Sequence, residues 1–128
     1  MTKQEKAVAL HKEGSNCAQS VLCAFTDELG IDTAQAHRLA TGLGAGLGRR
    51  QHLCGAINGA AMVLGAAFGN ETGADGEAKE KTYSIVQGFI REIEHEFNTL
   101  ECSGLLGVDM NSEEGKAAYN EKNLKDLV

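Results

Sequence analysis

The sequence predicts an all-α, single-domain helical bundle of about five to six helices, built around a central helix of small residues. Three observations lead there. No proline occurs in the 128 residues, so helices can run unbroken. No stretch alternates polar and apolar residues at period two, whereas apolar residues recur three and four apart along most segments. The run from Leu53 to Gly69 is apolar and rich in glycine and alanine, which lets helices pack at close range. The length suits one core, so residues 1–128 are taken as one domain.

Each element follows from local signals. Thr2 with Glu5 forms a capping box that opens a first helix running to about Lys12. Gly14 and Ser15 interrupt it, and Asn16, with Gln19 as its partner, caps a second helix. Ala18, Val21, Leu22, Phe25 and Leu29 make the buried stripe of that helix, and Gly30 ends it. Cys23 falls off the stripe beside Ser20 and Asp27, which predicts an incidental surface or second-interface thiol. Asp32 with Gln35 starts a third helix through Leu39, leading into the glycine-rich "TGLGAGLG". A fourth helix is expected from near Cys54 to Gly69, with small residues four apart at Gly55 and Gly59 and again at Ala61, Gly65 and Gly69. A fifth, about Gly76 to Asn98, carries Tyr83, Val86, Phe89, Ile90, Ile93 and Phe97 on one face. A short turn around "ECSGLLG" precedes a polar last helix from about Ser112, capped by Asn111 or Ser112.

Composition narrows the function classes. A formal charge of −6 disfavours a nucleic acid or an anionic membrane surface as partner. The Leu53–Gly69 run is shorter than the roughly 20 residues that span a bilayer and includes Asn58, so a buried helix is expected. "MTKQEKAVAL" lacks the apolar core of a secretory signal, and a cytoplasmic location is expected. In that compartment the four cysteines are reduced thiols. No CxxC pair occurs, which argues against a thioredoxin-type motif or a zinc ribbon.

Three cysteines share an address. Cys17 follows the cap Asn16, Cys54 opens the small-residue helix, and Cys102 precedes the "SGLLG" turn. Free N–H groups and the positive dipole end at a helix start favour an anion, so a lowered thiol pKa is expected there, suited to a nucleophile or a metal ligand. Gly55 and Gly59 keep the surroundings of Cys54 small, leaving room for a partner atom. His52, two residues before Cys54, is placed to supply a ligand or a proton. Arg49 and Arg50 add positive potential. The plainer reading treats each cysteine as a small buried hydrophobe and His52 as a loop residue. His11, His37 and His95 fall on ordinary helical surfaces. "GLGAGLGRR" fails as a phosphate loop, having no preceding strand, the wrong glycine spacing and no following GK[ST]. It is expected to be a flexible connection near the cysteines.

The segments "EGSNCAQSVLCAF", "GLGAGLGRRQHLCGAINGAAMVLGAAFG" and "ECSGLLGVD", in this order, resemble the C_GCAxxG_C_C family of redox-active proteins across about residues 10 to 115. The resemblance implies a redox centre of cysteines, of which Cys17, Cys54 and Cys102 have counterparts here. The family's fourth cysteine, after the "EEG" helix, has none in these 128 residues. A related domain in split-Soret cytochromes is associated with an iron–sulfur cluster, so the resemblance implies a redox thiol site, a cluster site, or both.

Two readings of function result. In the first, Cys17, Cys54 and Cys102 converge for thiol–disulfide exchange with a redox partner protein or a small-molecule thiol or disulfide. Its ligand version has the same three thiolates hold an iron–sulfur cluster or another soft metal, with His52, water or a partner group in the fourth position. The second is a non-enzymatic helical interaction module, possible also as a homodimer, whose cysteines only pack.

Overall fold

The computed structural model describes residues 1–102, so the last helix expected from about Ser112 lies outside the described residues. The elements are α1 (Lys3–Lys12), α2 (Cys17–Cys23), α3 (Thr26–Leu29), α4 (Thr33–Ala40), a 3-10 turn (Thr41–Leu43), α5 (Gly44–Leu47), α6 (Gly55–Phe68) and α7 (Gly76–Phe97). One isolated antiparallel bridge, Leu53 with Glu101, is the sole extended pairing among the described residues. The protein is all-α, as its periodicity and lack of proline predict.

The expected caps form. Thr2 accepts from the Glu5 N–H and Glu5 reaches back to the Thr2 N–H, closing the α1 capping box. Asn16 and Gln19 do the same for α2, and the Asp32 side chain accepts from the Gln35 N–H at α4. Asn16 does more than cap: its amide also donates to the Thr41 carbonyl at 3.0 Å, tying α2 to the end of α4.

The second helix is shorter than its apolar stripe predicts. It stops at Cys23, and α3 restarts it at a new angle before left-handed Gly30. Helix α2 packs against both α6 and α4, and six of its seven residues are buried. Cys23 is 3% exposed and packs with Ala18, Leu22, Ala36 and Ala40 in the core between α2 and α4. Of the two places expected for it, the surface is corrected and a second helix interface is what the structure gives, because α4 covers that face of α2. Burial of Leu22 in this cluster contributes roughly 1.5–3 kcal/mol.

A polar staple stitches the same two helices. His37 on α4 bonds Ser15 Oγ through Nε2 at 3.0 Å, while the Gln19 amide donates to its Nδ1 at 3.2 Å. Because Gln19 Oε1 already accepts from the Asn16 N–H, its amide nitrogen must face His37. Nδ1 is then the acceptor, and Nε2–H donates to Ser15. His37 is a structural link rather than the plain surface residue its sequence position suggests.

The small-residue helix α6 crosses α2 as expected, but only its first half is buried. Gly55, Ile57 and Gly59 are buried, and no residue beyond Gly59 in α6 is. A β-carbon on Gly59 would lie 2.7 Å from the Ala18 carbonyl oxygen and one on Gly55 3.1 Å from Cys17 Cβ. Glycine is therefore what sets the α2–α6 approach. Helix α7 follows α6 antiparallel, opened by Asp75 and ended by left-handed Asn98, and its apolar face is at most half-buried. No described helix is long and apolar enough to cross a membrane.

Candidate functional site

The α2–α6 crossing brings the start of α2 against the start of α6. Cys17 is the first residue of α2 and Cys54 the N-cap of α6, and both are buried. The third cysteine arrives by backbone pairing. Cys54 N–H donates to the Leu100 carbonyl at 2.8 Å, and Cys102 N–H to the His52 carbonyl at 2.7 Å. Those two bonds flank the Leu53–Glu101 bridge, so side chains alternate across it. Leu53 and Glu101 face solvent, while Cys54 and Cys102, one step on along each chain, turn inward as a diagonal pair. Cys17 and Cys54 each act electrostatically on Cys102, and Cys54 acts on Cys17. The three cysteines singled out in the sequence thus share one buried neighbourhood, and Cys23 stands apart in the α2–α4 core.

The connection from Gly44 to Gln51 closes over this neighbourhood, and it is far from a slack linker. Ala45, Gly46, Leu47, Gly48, Arg49 and Gln51 all have positive φ, a left-handed turn in which four of the six residues carry side chains. Such backbone is costly away from glycine and persists only where surroundings hold it. Here Gln51 N–H donates to the Ala45 carbonyl at 3.1 Å and His52 N–H to the Gly46 carbonyl at 3.0 Å. Gly46 admits no side chain, since a β-carbon would stand 2.5 Å from Gln51 Cα. The turn presents two donors to sulfur: the Ala45 N–H bonds Cys17 and the Gln51 side chain bonds Cys102.

The electrostatics correct one expectation. Helix starts were expected to lower the thiol pKa, yet Cys17 and Cys102 are raised. For Cys17 burial dominates; the Ala45 N–H opposes it, the Cys54 charge adds to the rise, and its own N–H opposes again. Burial pushes Cys102 up from 9.0 to about 11, with the charges of Cys17 and Cys54 adding to it and Gln51 opposing. Removing water from a thiolate costs more than one helix terminus returns. The resting site therefore holds Cys17 and Cys102 as neutral thiols at pH 7.

The remaining sequence-predicted residues have plainer places. His52 offers its backbone to the bridge while its residue surface is exposed. Gly55 and Gly59 serve helix approach. Arg49 and Arg50 are exposed, and neither is among the causes of the shifts at Cys17 and Cys102. All four cysteines are free thiols. Among the described residues no three His, Cys, Asp or Glu side chains are arranged to hold a metal ion, so the donor set does not fit a cluster as it stands. Gln51 was missed by sequence reasoning. One polar residue between two arginines and a histidine carries no periodic or capping signal, and only its 5% exposure marks it.

Fold and site together define a small helical domain with three cysteines gathered under a left-handed turn. The sequence profile of the C_GCAxxG_C_C family, described as "Putative redox-active protein", matches residues 15–126, and the chain belongs to that family. No curated protein and no solved structure matches it.

Proposed function

We propose that Cys17, Cys54 and Cys102 form a thiol–disulfide exchange site acting on a disulfide of a protein or small-molecule partner, in the reducing setting of the cytoplasm. The shared burial of the three thiols carries this reading: Gly55, next to Cys54, lies against Cys17 Cβ, and Cys54 and Cys102 flank the Leu53–Glu101 bridge. One of the three, as thiolate, attacks a sulfur of the partner disulfide; the other partner sulfur leaves and takes up a proton. A second thiol then loses its proton and attacks the mixed disulfide. An internal disulfide closes, and the partner departs as two thiols, having gained two electrons and two protons. Burial, with the charges of the neighbouring sulfurs adding to it, keeps Cys17 and Cys102 protonated at rest, which limits their adventitious oxidation. No step runs through a metal.

Incubating the reduced chain with oxidised glutathione, alkylating and mapping peptides by mass tests the reading. The expected product is two hydrogens lighter, is reversed by dithiothreitol, and links two of Cys17, Cys54 and Cys102. Serine at either linked position abolishes it, whereas Cys23→Ser does not. A chain in which all four thiols remain alkylatable leaves the interaction-module reading standing instead.

A further inference from the structure

We propose that Gln51 is a positioning residue of this site, its side-chain amide donating a hydrogen bond that holds Cys102 and selectively supports its thiolate form. The proposal deepens the exchange reading by naming the group that prepares one of its three sulfurs.

The geometry of the turn is what aims the amide. Gln51 is buried although polar and sits at φ 56, a conformation that a side-chain-bearing residue adopts only under constraint. Its N–H is fixed on the Ala45 carbonyl, and the next residue is fixed at both ends, His52 N–H on the Gly46 carbonyl and the His52 carbonyl on Cys102 N–H. The backbone segment that carries Gln51 is thereby bonded directly to the residue its side chain serves. Gly46 lets the two limbs of the turn touch, and any side chain there would push Gln51 away.

The chemistry suits a thiolate better than a thiol. An amide N–H is a donor only, and a donor to sulfur is strengthened when the sulfur becomes an anion. Cys17 from α2 and Cys54 from the start of α6 would add like charge beside Cys102, and among the described residues Gln51 is the group that opposes their effect and that of burial. Neither arginine of the turn takes that part. Without the amide, ionising Cys102 beside the other two sulfurs would lack this compensating partner.

The test uses the reduced full chain labelled at cysteine Cβ with carbon-13, whose chemical shift reports ionisation of each thiol in place. Cys102→Ser assigns the resonance. Gln51→Gly deletes the amide and eases the left-handed backbone, so folding is not put at risk by φ. It should lower the thiolate fraction of Cys102 at pH 10 about tenfold, the effect of one lost hydrogen bond to a charged group. Gln51→Glu keeps the size but sets a carboxylate against sulfur, and should lower it further. Cys23, in the α2–α4 core, should not change. A residue that only fills space would give the opposite sign, because loosening admits water and ionises Cys102 more readily. A thiolate fraction that rises or stays the same in Gln51→Gly overturns the proposal. Since the protein stays reduced throughout, this outcome is independent of whether an internal disulfide forms with glutathione.

Discussion

The two halves of α6 are both rich in small apolar residues and have different fates. Gly55 to Gly59 lie against α2, with backbone meeting backbone, and hold the cysteine neighbourhood between them. From Ala60 to Phe68 no side chain is buried, and Phe68 ends the helix 41% exposed with the Lys81 ammonium 5.5 Å from its ring centre. Hydropathy is therefore a poor guide to where this helix is buried. What separates the halves is whether a neighbouring backbone comes near enough to make glycine obligatory. Gly59 has Ala18 against it, whereas Gly65, six residues on, has nothing within 4 Å of an added β-carbon.

Substitutions on that one helix can break the contrast. Gly59→Ala should cost the most, about 1–3 kcal/mol, because its methyl group meets the Ala18 carbonyl and α2 must move. Thermal unfolding should show a midpoint lower by several degrees, and the Cys17–Cys54 relationship should loosen with it. An unchanged midpoint would mean that glycine does not set the crossing.

A second distinction is alkaline sensitivity, strongest at Cys102 beside the first half of α6. Cys102 has a folded value of about 11 against 9.0 when exposed. The unfolded chain thus releases its proton first as pH rises, and the stability this group contributes is present below pH 9 and lost between about 9 and 11. Denaturant unfolding at stepped pH under reductant should show that decline. Cys102→Ala should lessen it, with the raised Cys17 and Cys23 thiols leaving a remainder, while substitutions on α7 should not change it.

The smallest effect has the opposite sign. Gly65→Ala adds a methyl group to open space in a helix interior and should stabilise by about 0.5–1 kcal/mol. If Gly65→Ala instead destabilises like Gly59→Ala, then the second half of α6 is as closely covered as the first, and the comparison fails.

Much of this was legible in the sequence because its signals are short-ranged. The boxes Thr2–Glu5 and Asn16–Gln19 and the cap Asp32–Gln35 each join residues three apart, and each forms as read. The start of α6 at Cys54 and the end of α7 at Asn98 follow from equally local cues. Cys17, Cys54 and Cys102 stood out by position at predicted helix starts and before a turn, and all three are buried.

Only tertiary structure decided the rest. Helix α4 covers the face of α2 that carries Cys23, and no local pattern foretells that contact. Burial, which depends on what covers a residue, reverses the thiol shift that the helix termini alone predict. The run "GLGAGLGRRQ" reads as a loose connection, yet contacts between Gly46 and Gln51 and between His52 and Cys102 wind it left-handed over the sulfurs. Caps and periodicity act over a few residues and survive in any context. Desolvation, backbone strain and the aim of a buried amide exist only once distant segments meet.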